Sequence, residues 1–239
     1  FNFYIVPETY TFFPTFRGAF KQVARPIDLH PDFWKWSIAE RKAWFLKEVM
    51  VKHLPHEILP GDLIAGGRFN VQTSTCLDEK QAKAYLDTIE GKHSLRQAIF
   101  DFHNHGYGNT GCTNGHLIPD YPRVIEEGFV GIHRELQGFY NALSKKDKQG
   151  PKGAQLKAML TAATLPRDLS AKYRDQCLAL AELEPDAQRE NELKQMAENL
   201  NMVPWEPPQT FWQAVQALWL THMLVMADEN YPGAGTSFG

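Results

Sequence analysis

The sequence predicts a mostly helical chain with one short strand. Three observations carry that expectation. Apolar residues recur at three- and four-residue spacing through the second half, capping signals stand at the heads of those stretches, and "EILPGDLIAGG" at Glu57–Gly67 reads as a turn followed by a short apolar strand. With 239 residues, 43% of them hydrophobic and 12% aromatic, the chain has material for a substantial core.

The elements follow in order. "FNFYIVPETYTFFPTFRGAF" at Phe1–Phe20 is dense in aromatics and broken by Pro7 and Pro14, so residues 1–36 are expected to form an extended, aromatic-rich arm whose rings lie on a surface. Ser37 with Glu40 fits a capping box, and Ile38, Phe45 and Val49 mark one face of a helix that ends before Pro55. Ser94 with Gln97 caps a second helix carrying Leu95, Ile99 and Phe102. Downstream of a glycine-rich run, Ile125, Phe129, Ile132, Leu136 and Tyr140 mark a half-buried helix, in which Gly128 and Gly131 let a neighbour approach closely. "SKKDKQGPKG" at Ser144–Gly153 reads as an exposed connecting loop. Three helices are expected next, one on Leu156, Met159, Leu160 and Ala163, one on Leu169, Tyr173, Gln176 and Leu180, and one on Leu193, Met196, Ala197 and Leu200. The last helix has Thr210 as N-cap with Gln213 three residues on, and its apolar residues fall on every face, which places it in an interior.

Composition narrows the function classes. The 28 acidic and 25 basic residues leave a net charge of −3 with no extended basic run, so no nucleic-acid partner is expected. The longest apolar stretch, Ala217–Ala227, contains His222 and falls short of the roughly 20 residues of a membrane span, so no membrane partner is expected either. Cys76, Cys112 and Cys177 are odd in number and far apart, which suits a reducing cytoplasm better than a disulfide framework. The chain begins with Phe1 and stops soon after a long apolar helix, which leads to the expectation of a portion of a longer protein.

Two stretches carry the candidate chemistry. "HNHGYGNTGCTNGH" holds His103, His105, Cys112 and His116, residue types that bind zinc, yet the spacing matches no finger pattern and a polar loop is the simpler reading. No metal site is assigned. The run has neither Walker nor GxGxxG spacing, but Gly108, Gly111 and Gly115 permit close backbone approach, while Asn109, Thr113 and Asn114 offer hydrogen-bonding groups. His116 precedes a helix N-terminus, where backbone amides disfavour its protonated form, and a neutral imidazole both donates and accepts; a core histidine satisfied by backbone is the alternative. "NYPGAGTSFG" at Asn230–Gly239 is a second glycine-rich turn, in which Ala234 and Gly235 have only steric roles to play.

The blocks "PGDLIAGG" at Pro60–Gly67, "GHLIPDYPRVIEEGFVGI" at Gly115–Ile132, "RENELKQMAENLNMVPWEPPQTFWQAVQALWLTH" at Arg189–His222 and the closing "NYPGAGTSFG", in that order, resemble the glycyl radical enzymes of the pyruvate formate-lyase family from about Ser37 to the end. The resemblance implies the mostly helical N-terminal part of a ten-stranded α/β barrel. It also implies a thiyl-forming cysteine and a radical-bearing glycine on loops not recognisable in this sequence. Residues 1–239 are thus expected to be the N-terminal portion of a pyruvate formate-lyase-like domain, inactive alone.

In that family the position matching His116 faces the substrate, as an arginine in pyruvate formate-lyases and a histidine in diol-dehydratase-like members. A histidine argues against a carboxylate such as pyruvate at this position, because imidazole lacks the bidentate guanidinium fork. Where the dehydratases have a His-Ser pair, this chain has Ala234 and Gly235, which leaves room for a bulkier substrate such as an arylacetate. The resemblance therefore implies a lyase that cleaves a C–C, C–O or C–S bond of a small organic substrate bound by His116, Asn114, Ala234 and Gly235. It holds no bound cofactor, receives its glycyl radical from a radical S-adenosylmethionine activating enzyme, works anaerobically in the cytoplasm and forms a homodimer. A diol-dehydratase-like activity is the alternative within the family. A stand-alone helical binding module with a His/Cys metal or partner site is the alternative outside it.

Overall fold

The computed structural model describes residues 27–54, 56–67, 80 and 118–228, together with the backbone of 9–12 and 23–26. Within the arm, β1 (Thr9–Phe12) pairs antiparallel with β2 (Val23–Pro26), Thr9 opposite Pro26 and Phe12 opposite Val23. The expected helix Ser94–Phe102 lies outside the described residues.

Helix α1 (Ile38–Glu48) starts where the capping box predicts: Glu40 N donates to Ser37 Oγ at 3.3 Å and Ser37 N to Glu40 Oε2 at 3.0 Å. Its winding loosens into a π-turn at Val49–His53, closed by Leu54 N to Val49 O at 3.0 Å, and the chain is extended before Pro55. Helix α2 (Tyr121–Ala142) is capped by Asp120, whose carboxylate accepts from Arg123 N at 3.2 Å. It is interrupted at Gly128, with φ 65° and ψ 172°. The N–H groups orphaned there are taken up by the chain entering the last helix, Phe129 N by Pro204 O at 3.0 Å and Val130 N by Trp205 O at 2.9 Å. A Cβ at residue 128 would overlap the Trp205 carbonyl oxygen and lie 2.8 Å from Glu206 C, so glycine is required by space as well as by φ.

The segment expected to be an exposed loop is instead mostly helical. Ser144 caps α3 (Lys145–Gln149), accepting from Asp147 N at 3.1 Å, and Gly150 alone separates it from Pro151, the first residue of α4. A local Ser-Lys-Lys-Asp cap thus outweighs the turn signal of Gly and Pro, although the surface remains largely solvent-facing.

The first two of the three helices expected downstream are one helix, α4 (Pro151–Ala181), with Pro166 inside it. Proline removes one i→i−4 hydrogen bond and favours a break. Tertiary contacts keep the helix whole: Lys47 of α1 donates to Thr164 Oγ1 at 2.8 Å and pairs with Asp168 at 2.6 Å, bracketing the proline on both sides. Leu165, Leu169, Tyr173, Cys177 and Ala181, four residues apart, form a continuous buried stripe. Helix α4 is the hub, touching α1, α2, α3, α5 (Ala187–Met202) and α6 (Phe211–Asp228). The core gathers Phe45, Val49 and Met50 of α1, Leu193, Met196 and Leu200 of α5, and Leu220, Met223 and Ala227 of α6 around that stripe.

The strand expected in Glu57–Gly67 does not pair with another strand among the described residues. Leu59 and Asp62 close a turn, Asp62 N to Leu59 O at 3.0 Å and Leu59 N to Asp62 Oδ2 at 2.7 Å, with Gly61 at φ 83°. The following apolar residues lie against α6, where the side chain of Gln216 takes the place of a neighbouring strand. It accepts from Ala65 N at 2.8 Å and donates to Ala65 O at 3.0 Å.

Candidate functional site

Helix α6 packs against both the segment Leu63–Gly67 and the head of α2. Gln213 N donates to Thr210 Oγ1 at 3.2 Å, as the cap predicts, and residues 220–224 are buried on every side. One face of the helix, spaced as Trp212, Gln216, Trp219 and Met223, holds the segment Leu63–Gly67. Trp212 Nε1 donates to Leu63 O at 2.7 Å, Gln216 pairs with Ala65, and Gly67 N approaches Met223 Sδ at 3.2 Å. Gly66, at φ 117°, lies so close to Trp219 that a Cβ would sit 2.9 Å from the indole nitrogen.

The adjacent face carries His222, 5% exposed, whose Nδ1 lies 2.7 Å from the hydroxyl of Tyr121, 7% exposed and the first residue of α2. Trp219 stacks on the imidazole with centroids 5.9 Å apart and planes 25° apart. Burial raises the Tyr121 pKa above its ordinary value, so the phenol keeps its proton at neutral pH. The phenol and the imidazole are joined by a buried hydrogen bond. The pair is equipped to fix geometry.

The predicted site residues His116, Asn114, Ala234 and Gly235 lie outside the described residues, as do His103, His105, Cys76 and Cys112. Among the described residues, the helix that follows His116 in sequence begins at Tyr121, the helix that precedes Asn230 in sequence is α6, and the Tyr121–His222 hydrogen bond joins these two helices. Cys177 is fully buried in the core stripe, and burial pushes its thiol up to about 11, against a smaller opposing influence of Arg189. It is a packing residue. Among the described residues no group of three or more His, Cys, Asp or Glu is placed to hold a metal ion, and no helix is long and apolar enough to cross a membrane.

Sequence reasoning missed Tyr121, Gln216 and the role of His222. The available signal was polar residues inside the most apolar helix: Gln213, Gln216, Thr221 and His222 are all buried, and a buried polar side chain demands a partner.

A family profile described as pyruvate formate lyase-like matches residues 73–239. The chain is 33% identical over 229 residues to (2S)-3-sulfopropanediol dehydratase of Klebsiella oxytoca, a match that covers 91% of this chain and 26% of that protein. It is 48% identical over 56 residues to indoleacetate decarboxylase of Tractidigestivibacter scatoligenes, covering 23% of this chain and 6% of the relative. The chain thus spans about a quarter of the length of the dehydratase it matches. A solved structure described for 1,2-propanediol dehydration in Roseburia inulinivorans superposes with a TM-score of 0.63 at 19% identity, covering 80% of this chain and 28% of the other, which shows a shared fold. The profile match extends over both glycine-rich stretches and the α6 frame between them, and the chain belongs to the pyruvate formate lyase-like family.

Proposed function

We propose that this chain is the N-terminal portion, residues 1–239, of a glycyl radical lyase that cleaves a C–O, C–C or C–S bond of a small organic substrate. The observation that carries the reading is the family match across residues 73–239, which spans the whole sequence from His116 to the Ala234 turn. In this reading α2 and α6 belong to the mostly helical shell and first part of a ten-stranded α/β barrel, and His116, Asn114, Ala234 and Gly235 face the substrate. The radical supplies hydrogen-atom abstraction through a cysteine thiyl on a part of the protein beyond these residues. This chain's own share is to bind and orient the substrate and to exclude water around it. A neutral His116 beside Asn114 suits a hydroxyl-bearing substrate, since each offers both donor and acceptor.

Dehydration is the favoured chemistry, because the relative matched over nearly the whole chain is a dehydratase of a sulfonated diol. Arylacetate decarboxylation is the second reading, favoured by the local match to indoleacetate decarboxylase and by the absence of side-chain bulk at Ala234 and Gly235. The enzyme would work anaerobically as a cytoplasmic homodimer and take its radical from a radical S-adenosylmethionine activating enzyme. The test is anaerobic activation of the intact protein followed by electron paramagnetic resonance and product analysis. A glycyl radical doublet is expected, with aldehyde formed from a 1,2-diol; methylarene and carbon dioxide from an arylacetate would select the second reading, and failure to form any radical would overturn both.

A further inference from the structure

We draw no further inference here: the strongest candidate, the apolar groove between α1, α2, α4 and α6 lined by Ala43, Phe129, Met159 and Leu224, carries nothing because nothing in the structure shows what covers it.

Discussion

His56 illustrates how one half-buried side chain sets a pH dependence. Its Nε2–H donates to Met50 O at 2.8 Å and its ring meets Tyr173 edge-on at 5.3 Å. Burial lowers its pKa, outweighing the Met50 carbonyl, which acts to raise it; Lys172 lowers it further. The unfolded imidazole, titrating near 6.5, therefore takes up protons at a pH where the folded one does not. The His56 contribution to stability is complete above pH 6.5 and is lost as pH falls below that value. Thermal unfolding between about pH 7.5 and 5.5 should accordingly show a shallower loss of Tm in His56→Gln, which keeps a donor toward Met50 without titrating. An unchanged slope would remove His56 from the account.

At the scale of elements, the interrupted α2 makes the sharpest claim. Gly128→Ala forces a side chain into a backbone conformation that only glycine adopts readily and against the Trp205 carbonyl oxygen. The cost should be about 3 kcal/mol or more, a fall in Tm on the order of 6–12 °C measured by calorimetry. Helix α4 makes a gentler one. Burial acts to raise the Asp168 pKa, but hydrogen bonds from Lys47 and Arg167 hold it below the ordinary carboxylate value. The Lys47–Asp168 contribution is thus present above pH 4 or so and lost as acid protonates the folded carboxylate, and Lys47→Met should lower Tm at neutral pH by roughly 2–4 °C. The caps at Ser37 and Thr210 were legible because they are written within four residues of sequence. The continuity of α4 through Pro166 was not, because it depends on a lysine more than 110 residues away. The Glu57–Gly67 run misled for the same reason, since its backbone partner is a glutamine side chain 151 residues on.

For the whole molecule, the family was legible because its blocks keep their order along the chain, whereas the joining of α2 to α6 was not, since Tyr121 and His222 stand 101 residues apart. The decisive variant at this scale is His116→Ala in the intact, activated enzyme. Turnover should fall by about 10²-fold or more while the radical still accumulates, since loss of an orienting contact costs rate without touching radical formation. A variant that never acquires the radical, or unfolds, would speak against a pocket role.

The neck at Phe129–Val130 and Pro204–Trp205 has a consequence for how this architecture can change length. The chain leaves α2's break and returns to almost the same point after α3, α4 and α5, so those helices form an excursion whose two ends are tied together. At its far end, the turn Glu182–Asp186 is solvent-facing, with Leu183 82% exposed. Inserted residues there would extend the excursion outward and leave α6 and the head of α2 where they are, which makes that turn the natural port for an affinity tag, a fluorophore or a grafted loop.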